Sequence, residues 1–404
     1  MYGNKGVNIV FNIFNTNNKN NVKKRKKEYK MKFSIKKEIL LEALNKVSKA
    51  ISTKNVIPVL AGIKFHLTKK KLTLTASDND ITIETSIPCD NENIILKEEG
   101  SIIIQGKYIL DIVRKLPDPF INIEVVDDLK ILIYTENSEF NLNGISEKEY
   151  PSIELVESKN HIELSKTLLK EIVNQTAFAT SIDENKAILN GINFNIIGNI
   201  LECNATDSYR LARKIIPLST SSEENMNIVI PSRNLVEFTR ILGEGDEKIE
   251  VHIFNNKILF KNQNLLFQSR LINGTYPNTS NLLPKEDQVK LHFNINDFYN
   301  VVDRVSILTS DKDKNIVTME TNGDTLIMKS SSAEIGRVEE KMSIKKDRDL
   351  DIKISFSARY MMDALKSFPT DTVELAFVGE IKPIVLKSSE DDTLTQLVLP
   401  IRTY

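Results

Sequence analysis

Lys107-Tyr-Ile-Leu-Asp111-Ile-Val-Arg114 recurs in kind as Arg233-Asn-Leu-Val-Glu237-Phe-Thr-Arg240 and again as Arg359-Tyr-Met-Met-Asp363-Ala-Leu-Lys366. Each stretch places a base first, an acid four residues later and a second base three residues after that. Positions with this spacing fall on one face of a helix, because two turns take about seven residues. The three stretches start 126 residues apart. Self-similarity at a fixed period means that one module is used three times.

Working outward, each charged helix follows a short strand pattern and precedes more strands, such as Ile121-Asn-Ile-Glu124, Ile249-Glu-Val-His252 and Val373-Glu-Leu-Ala-Phe377. Each module also opens on a strand and a helix. Lys32-Phe-Ser-Ile35 precedes Leu40, Leu44, Val47 and Ile51; His161-Ile-Glu-Leu164 precedes Leu168, Leu169, Ile172 and Val173. His292-Phe-Asn-Ile295 precedes Phe298, Val301, Val302, Val305 and Leu308. These apolar positions recur at helical spacing, so each helix buries one face. A module is therefore two copies of strand, helix and strands, and three modules predict six helices. The fold class expected is α+β, with outer antiparallel sheets and helices packed on one face of them. Sheets repeated along an arc can pair edge to edge, which hides their edges.

The modules are expected at 31–157, 158–287 and 288–404, each large enough to bury its own core. The chain has 404 residues and is 41% hydrophobic, and no apolar run approaches the roughly 20 residues of a membrane helix. Cys89 and Cys203 are the two cysteines, far apart and without CxxC spacing, which fits a reducing cytosol. Residues 1–30 differ in kind: rich in Asn and Lys, they hold eight of the 54 basic residues and one of the 55 acids. They are read as a disordered basic extension. Lys23-Lys-Arg-Lys-Lys27 as a nucleic-acid arm, or Met31 as the true start, are the alternatives. The remainder carries 46 basic against 54 acidic residues, a net charge of −8. A body this acidic does not bind nucleic acid indiscriminately, so any DNA contact must rest on local positive charge.

No catalytic constellation is visible. His66, His161, His252 and His292 are read as structural histidines, and no metal or cofactor is expected. Neither GxxxxGK[ST], GxGxxG nor GxSxG occurs. The acid pairs Asp127-Asp128 and Asp391-Asp392 sit in turn-like contexts.

The segments between the helices carry a resemblance. Asn204-Ala-Thr-Asp-Ser-Tyr-Arg-Leu211 is followed by Ile230-Pro231, Asn273-Gly-Thr-Tyr-Pro277 and Leu282-Leu-Pro284, and the chain closes on Gln396-Leu-Val-Leu-Pro-Ile-Arg402. Ile57-Pro-Val-Leu60 and Glu149-Tyr-Pro-Ser152 belong to the same set. Together they resemble the bacterial DNA polymerase III beta subunits, the sliding clamps, from Met31 to Arg402. The resemblance implies a head-to-tail dimer closing a six-domain ring, with helices lining the hole and sheets outside. It implies a processivity factor without catalytic activity, in the cytoplasm and at the nucleoid during replication. Its partners would be double-stranded DNA held by topology, the replicative polymerase, the clamp loader, and repair polymerases, ligase or mismatch-repair proteins.

On that resemblance the recurrent bases Lys107, Arg114, Arg233, Arg240, Arg359 and Lys366 would face DNA, and Lys54 and Lys186 match loop positions that meet it. Asp111, Glu237 and Asp363 would temper the field, which suits sliding. The same bases on a merely solvated face would instead pair with those acids. A groove for short apolar peptides would be formed on one side by Leu189, Thr206, Ser208, Tyr209, Arg210, Leu211, Pro277 and Leu282. Tyr360, Leu397, Leu399, Pro400, Ile401 and Arg402 would form the other side. In the bland reading Leu211, Leu282 and Leu399 are simply core. Two departures from the family pattern are the Thr403-Tyr404 ending and Asn281, which stands where relatives often carry a base. The dimer contact would join the first module near Phe140 to the third module of a second chain near Ile307 and Leu308. Glu136 and Glu139 there are acidic, as are Glu334, Glu339 and Glu340, so ion pairs would have to come from Arg337 or Lys341. The alternative to a clamp is a non-catalytic repeat scaffold, or a clamp paralogue, that does not encircle DNA.

Overall fold

The computed structural model describes residues 31–402 except 52–56, 128, 220–224, 285 and 311–314. The readings made for residues 1–30, Lys54, Asp128, Thr403 and Tyr404 therefore lie outside the described residues. Six α-helices are present among those described: α1 (Lys37–Val47), α2 (Gly106–Lys115), α3 (Lys166–Thr176), α4 (Ser232–Ile241), α5 (Ile295–Ser306) and α6 (Ala358–Lys366). They pair as α1 with α2, α3 with α4 and α5 with α6, one pair per module. Each forms because its apolar residues fall on one side: Ile109 and Val113 of α2, Leu235 and Phe238 of α4, Met361 and Leu365 of α6 are buried. The Ser165 hydroxyl accepts the Leu168 N–H at the start of α3, and the Asn294 side chain accepts the Asp297 N–H at the start of α5. Both satisfy amides that a first helical turn leaves open.

Among the described residues the strands form four antiparallel sheets, and two of them cross module boundaries. The eight-stranded sheet joins Ile81–Pro88 of the first module to Leu265–Arg270 of the second, with Phe267 opposite Ile83. The nine-stranded sheet joins Arg210–Pro217 of the second module to Leu394–Val398 of the third, with Gln396 opposite Ala212. The expected edge-to-edge pairing is thus realised at both internal joints. The other two sheets end on strands with no neighbour among the described residues, Glu139–Asn143 in the first module and Gly336–Ser343 in the third.

Burial follows the joints. One continuous core runs from Met31 to Phe267 through the first two modules, and a second fills the third. Leu211, Val385 and Leu397 close the space between them. Gly191 opens the strand Gly191–Ile197 at a close approach of backbone to backbone. A Cβ there would lie 2.7 Å from the Ile230 carbonyl oxygen, so only glycine fits without displacing the neighbouring strand.

Candidate DNA-facing helices and peptide groove

The six recurrent bases are all exposed on their helices. The acids between them are half-buried and find partners. Asp111 accepts from Arg114 at 3.5 Å and Glu237 accepts from Arg240 at 2.6 Å, each one turn further on. The leading bases Lys107 and Arg233 take no part in these pairs and are exposed to solvent. Lys366 lies over the Tyr299 ring, 4.9 Å from its centre, and the contact with that phenol raises the lysine's affinity for its proton.

Asp363 departs from the pattern. Its carboxylate accepts from Arg210 Nη1 at 2.7 Å, across the joint between the second and third modules. Arg210 Nε donates to Asp207 Oδ2 at 3.0 Å. The guanidinium is flanked by the rings of Tyr360 and Phe178, with centres 4.5 and 5.3 Å away. Its side chain is only 9% exposed, so its charge is compensated by two carboxylates and two π faces instead of water.

The local sequence explains how Arg210 reaches this position. Asp207 Oδ1 accepts the N–H groups of Tyr209 and Arg210, closing a side-chain turn. Ser208 at its apex has φ +82°, and its N–H donates to the Thr206 hydroxyl. The Thr206 hydroxyl in turn donates to the Arg210 carbonyl at 2.6 Å, and the Thr206 N–H donates to the buried Tyr276 hydroxyl at 3.0 Å. Burial pushes that phenol's pKa up, so it stays protonated. The turn projects Tyr209 outward, where its ring stacks on Tyr360 with centres 6.3 Å apart. Tyr209 also holds the chain's end: its carbonyl accepts the Leu399 N–H at 2.9 Å, and Ser355 accepts the Ile401 N–H at 2.7 Å.

Beside the stacked tyrosines lies an open cavity of about 750 Å³, lined by Ser208, Tyr209, Asn315, Ser357, Arg359, Tyr360, Leu399, Pro400, Ile401 and Arg402. Seven of the groove residues expected from sequence come together here. Arg210 lies behind Tyr360. Leu189, Thr206, Leu211 and Leu397 are buried and do not line its wall; Leu211 and Leu397 pack under Leu399. Pro277 and Leu282 are exposed but do not line this cavity. Arg359, read as a DNA-facing base, stands at the groove, and Lys186 reaches its rim, with Nζ 3.5 Å from the Ser208 hydroxyl and 5.8 Å from the Tyr209 ring centre. Asn315 and Ser357 were missed, since nothing in their local sequence distinguishes them from other polar loop residues. Asp207 was within reach: an acid three residues before Arg210 is a turn signal.

At the free ends, Phe140 on the edge strand Glu139–Asn143 is 37% exposed and Ile307 beyond α5 is 72% exposed. Leu308 is half-buried. Arg304 pairs with Glu340 within the chain, and Lys341 lies 3.6 Å from Glu339.

The comparisons with known proteins agree along the whole described body. Residues 31–154, 163–278 and 280–402 match the family models for the N-terminal, central and C-terminal domains of the DNA polymerase III beta subunit. The beta sliding clamp of Staphylococcus epidermidis is 40% identical over 377 residues, which is 93% of this chain and all of the relative. The crystal structure of the DNA polymerase sliding clamp from Bacillus subtilis superposes with a TM-score of 0.89 at 36% identity, covering 93% of this chain and all of that one. The beta subunit from Streptococcus pyogenes superposes with a TM-score of 0.88 at 30% identity, covering 92% and 100%.

Proposed function

Because the chain belongs to the DNA polymerase III beta subunit family, the sliding clamps, we propose that two copies close head to tail around duplex DNA through the edge strands Glu139–Asn143 and Gly336–Ser343. The protein is a non-catalytic processivity factor of DNA polymerase III, and DNA, the polymerase and a second copy of itself are its partners. How it performs that role follows from the repeat.

One observation carries the closure. The two internal joints use equivalent strands in the same register, Phe267 opposite Ile83 and Gln396 opposite Ala212. Following the ladders from strand to strand, Phe140 is the first-module counterpart of Phe267 and Gln396. Val338 is the third-module counterpart of Ile83 and Ala212. Phe267 is fully buried by its joint, whereas Phe140 is exposed. A third joint of the same kind sets Phe140 of one copy opposite Val338 of the next. Two three-module chains with unlike ends then close a ring with six joints, four internal and two between copies. Each new joint buries Phe140, contributing about 1.5–3 kcal/mol of apolar transfer. It also sets Glu139 opposite Glu339, where like charges oppose association. Arg337 and Lys341 flank Glu339 at two residues on either side and share its face, so they offset part of that repulsion.

The hole is lined by the helix faces bearing Lys107, Arg114, Arg233, Arg240 and Lys366, with Arg359 and Lys186 between the DNA side and the groove. Their charge is diluted by the paired Asp111 and Glu237, and the body is acidic. The ring therefore centres a duplex without gripping it, and retention comes from topology. The groove beside Tyr209 and Tyr360 receives short apolar peptides from the polymerase, the clamp loader and repair proteins: an aromatic wall, an apolar chain end and a few polar anchors suit such a ligand. The work is done in the cytoplasm, on the nucleoid. Sedimentation equilibrium tests the closure: a two-chain mass is expected, and a monomer at all accessible concentrations would overturn it.

A further inference from the structure

Away from the groove and the hole, one cluster of side chains carries a different chemistry. Glu250 and His252 are two residues apart on the strand Lys248–Ile253, so both leave the same face of the sheet. Glu157, from the segment that links the first module to the second, reaches over the same spot. The carboxylate and imidazole atoms these three residues offer lie within 4.8 Å of one another. Spacing alone does not reveal the set, because Glu157 is distant in sequence and a lone buried histidine reads as structural.

His252 supplies the independent observation. Its side chain is 1% exposed, and Nε2 has no hydrogen-bond partner among the described residues. The nearest acceptor is Glu250 Oε2 at 3.4 Å, longer than an ordinary hydrogen bond. The other ring nitrogen, Nδ1, accepts the Ser158 N–H at 3.0 Å and lies 3.1 Å from the Ser158 carbonyl oxygen. Zn2+ at Nε2 requires the ring proton on Nδ1, where the Ser158 carbonyl 3.1 Å away would accept it. A metal-bound imidazole is commonly oriented in this way, by a backbone carbonyl on its far nitrogen. At the mouth of the cluster sits the Lys261 ammonium, 2.8 Å from Glu157 and 3.4 Å from Glu250. Lys261 lies opposite Glu250 on the neighbouring strand, and its side chain is 26% exposed, with a path to water.

We propose that Glu157, Glu250 and His252 form a Zn2+ site, and that Lys261 is the cation that fills it when metal is absent. An imidazole with two carboxylates suits Zn2+ better than Mg2+ or Ca2+, which take oxygen ligands alone. Three protein ligands leave a fourth position for water. Exchange of the ammonium for Zn2+ brings the site from one net negative charge to neutrality. The ion fastens segment 151–158 to the sheet of the second module, so its role is to stiffen the joint between the first two modules.

Isothermal titration of the metal-stripped full-length protein with ZnCl2 tests this, beside Glu157→Gln and Lys261→Met. The Glu157 side chain is 47% exposed, so its substitution leaves the fold intact. The site requires one Zn2+ per chain. It also requires an affinity at least about tenfold lower in Glu157→Gln, on the scale of lost metal-site partners, and a higher affinity in Lys261→Met. Absence of Zn2+ binding by the parent protein would overturn the proposal. So would binding that neither substitution changes, the mark of an adventitious ion only.

Discussion

Arg210 Nη1 lies 2.7 Å from Asp363 Oδ2, and this ion pair spans the joint between the second and third modules beside the proposed peptide groove. Nε of the same guanidinium holds Asp207, whose carboxylate closes the turn that presents Tyr209. The groove wall, the turn and α6 are therefore one connected unit.

Arg210→Ala leaves two carboxylates facing each other without a cation and destabilises the chain by about 3 kcal/mol, the scale of a broken buried pair. Arg210→Lys keeps the charge but cannot bridge both acids in one plane. Denaturant midpoints check the first effect. For Arg210→Lys, peptide affinity falls about tenfold while the dimer mass holds, because one of the two charge-assisted hydrogen bonds that fix the Tyr209 turn and Tyr360 is lost, worth about 1.5–3 kcal/mol.

Deleting Pro400 to Tyr404 removes one wall of the groove but touches neither free edge strand. Binding of a short apolar peptide should be lost, by fluorescence anisotropy, with sedimentation unchanged. Retained binding would show that the peptide sits elsewhere.

Phe140→Ala removes the apolar contact at both joints between copies. At about 2 kcal/mol per joint, the dimer dissociation constant rises by about three orders of magnitude. Glu139→Gln acts the other way, tightening the dimer by a few tenths of a kcal/mol per joint as it relieves the opposition to Glu339. Phe140→Cys with Val338→Cys should form a disulfide between copies on oxidation, which checks the register itself.

Reversing Lys107 and Arg233 to Glu places acids on the helices proposed to face DNA. Residence on DNA should shorten, and its dependence on salt should flatten as phosphate contacts are lost. Single-molecule dwell times at 50 and 200 mM salt read both effects.

Much of this was legible in the sequence because it is local. The spacing of Lys107, Asp111 and Arg114 announces an exposed helix face, and its recurrence announces the module. What was not legible depends on pairing across the chain. Phe267 meets Ile83 and Arg210 meets Asp363 only after the modules have docked. Asp363 was read with its own helix, yet the joint offered it a buried guanidinium with a stronger claim. Leu211 and Leu397 share their residue type with Leu399, but only Leu399 lines the groove, because it lies beyond the last residue of the strand Leu394–Val398 while Leu211 and Leu397 are paired inside the sheet. Lys186 matched a DNA-meeting loop, but its ammonium lies against Ser208 and Tyr209, a contact no pattern in residues 183–190 predicts.

Topological closure around DNA makes retention depend on the DNA having no free end. After loading onto a nicked circular duplex, the protein should stay bound through gel filtration in moderate salt, and should be released when the circle is cut once with a restriction enzyme. Equal retention on the circle and on the linear product would contradict a ring.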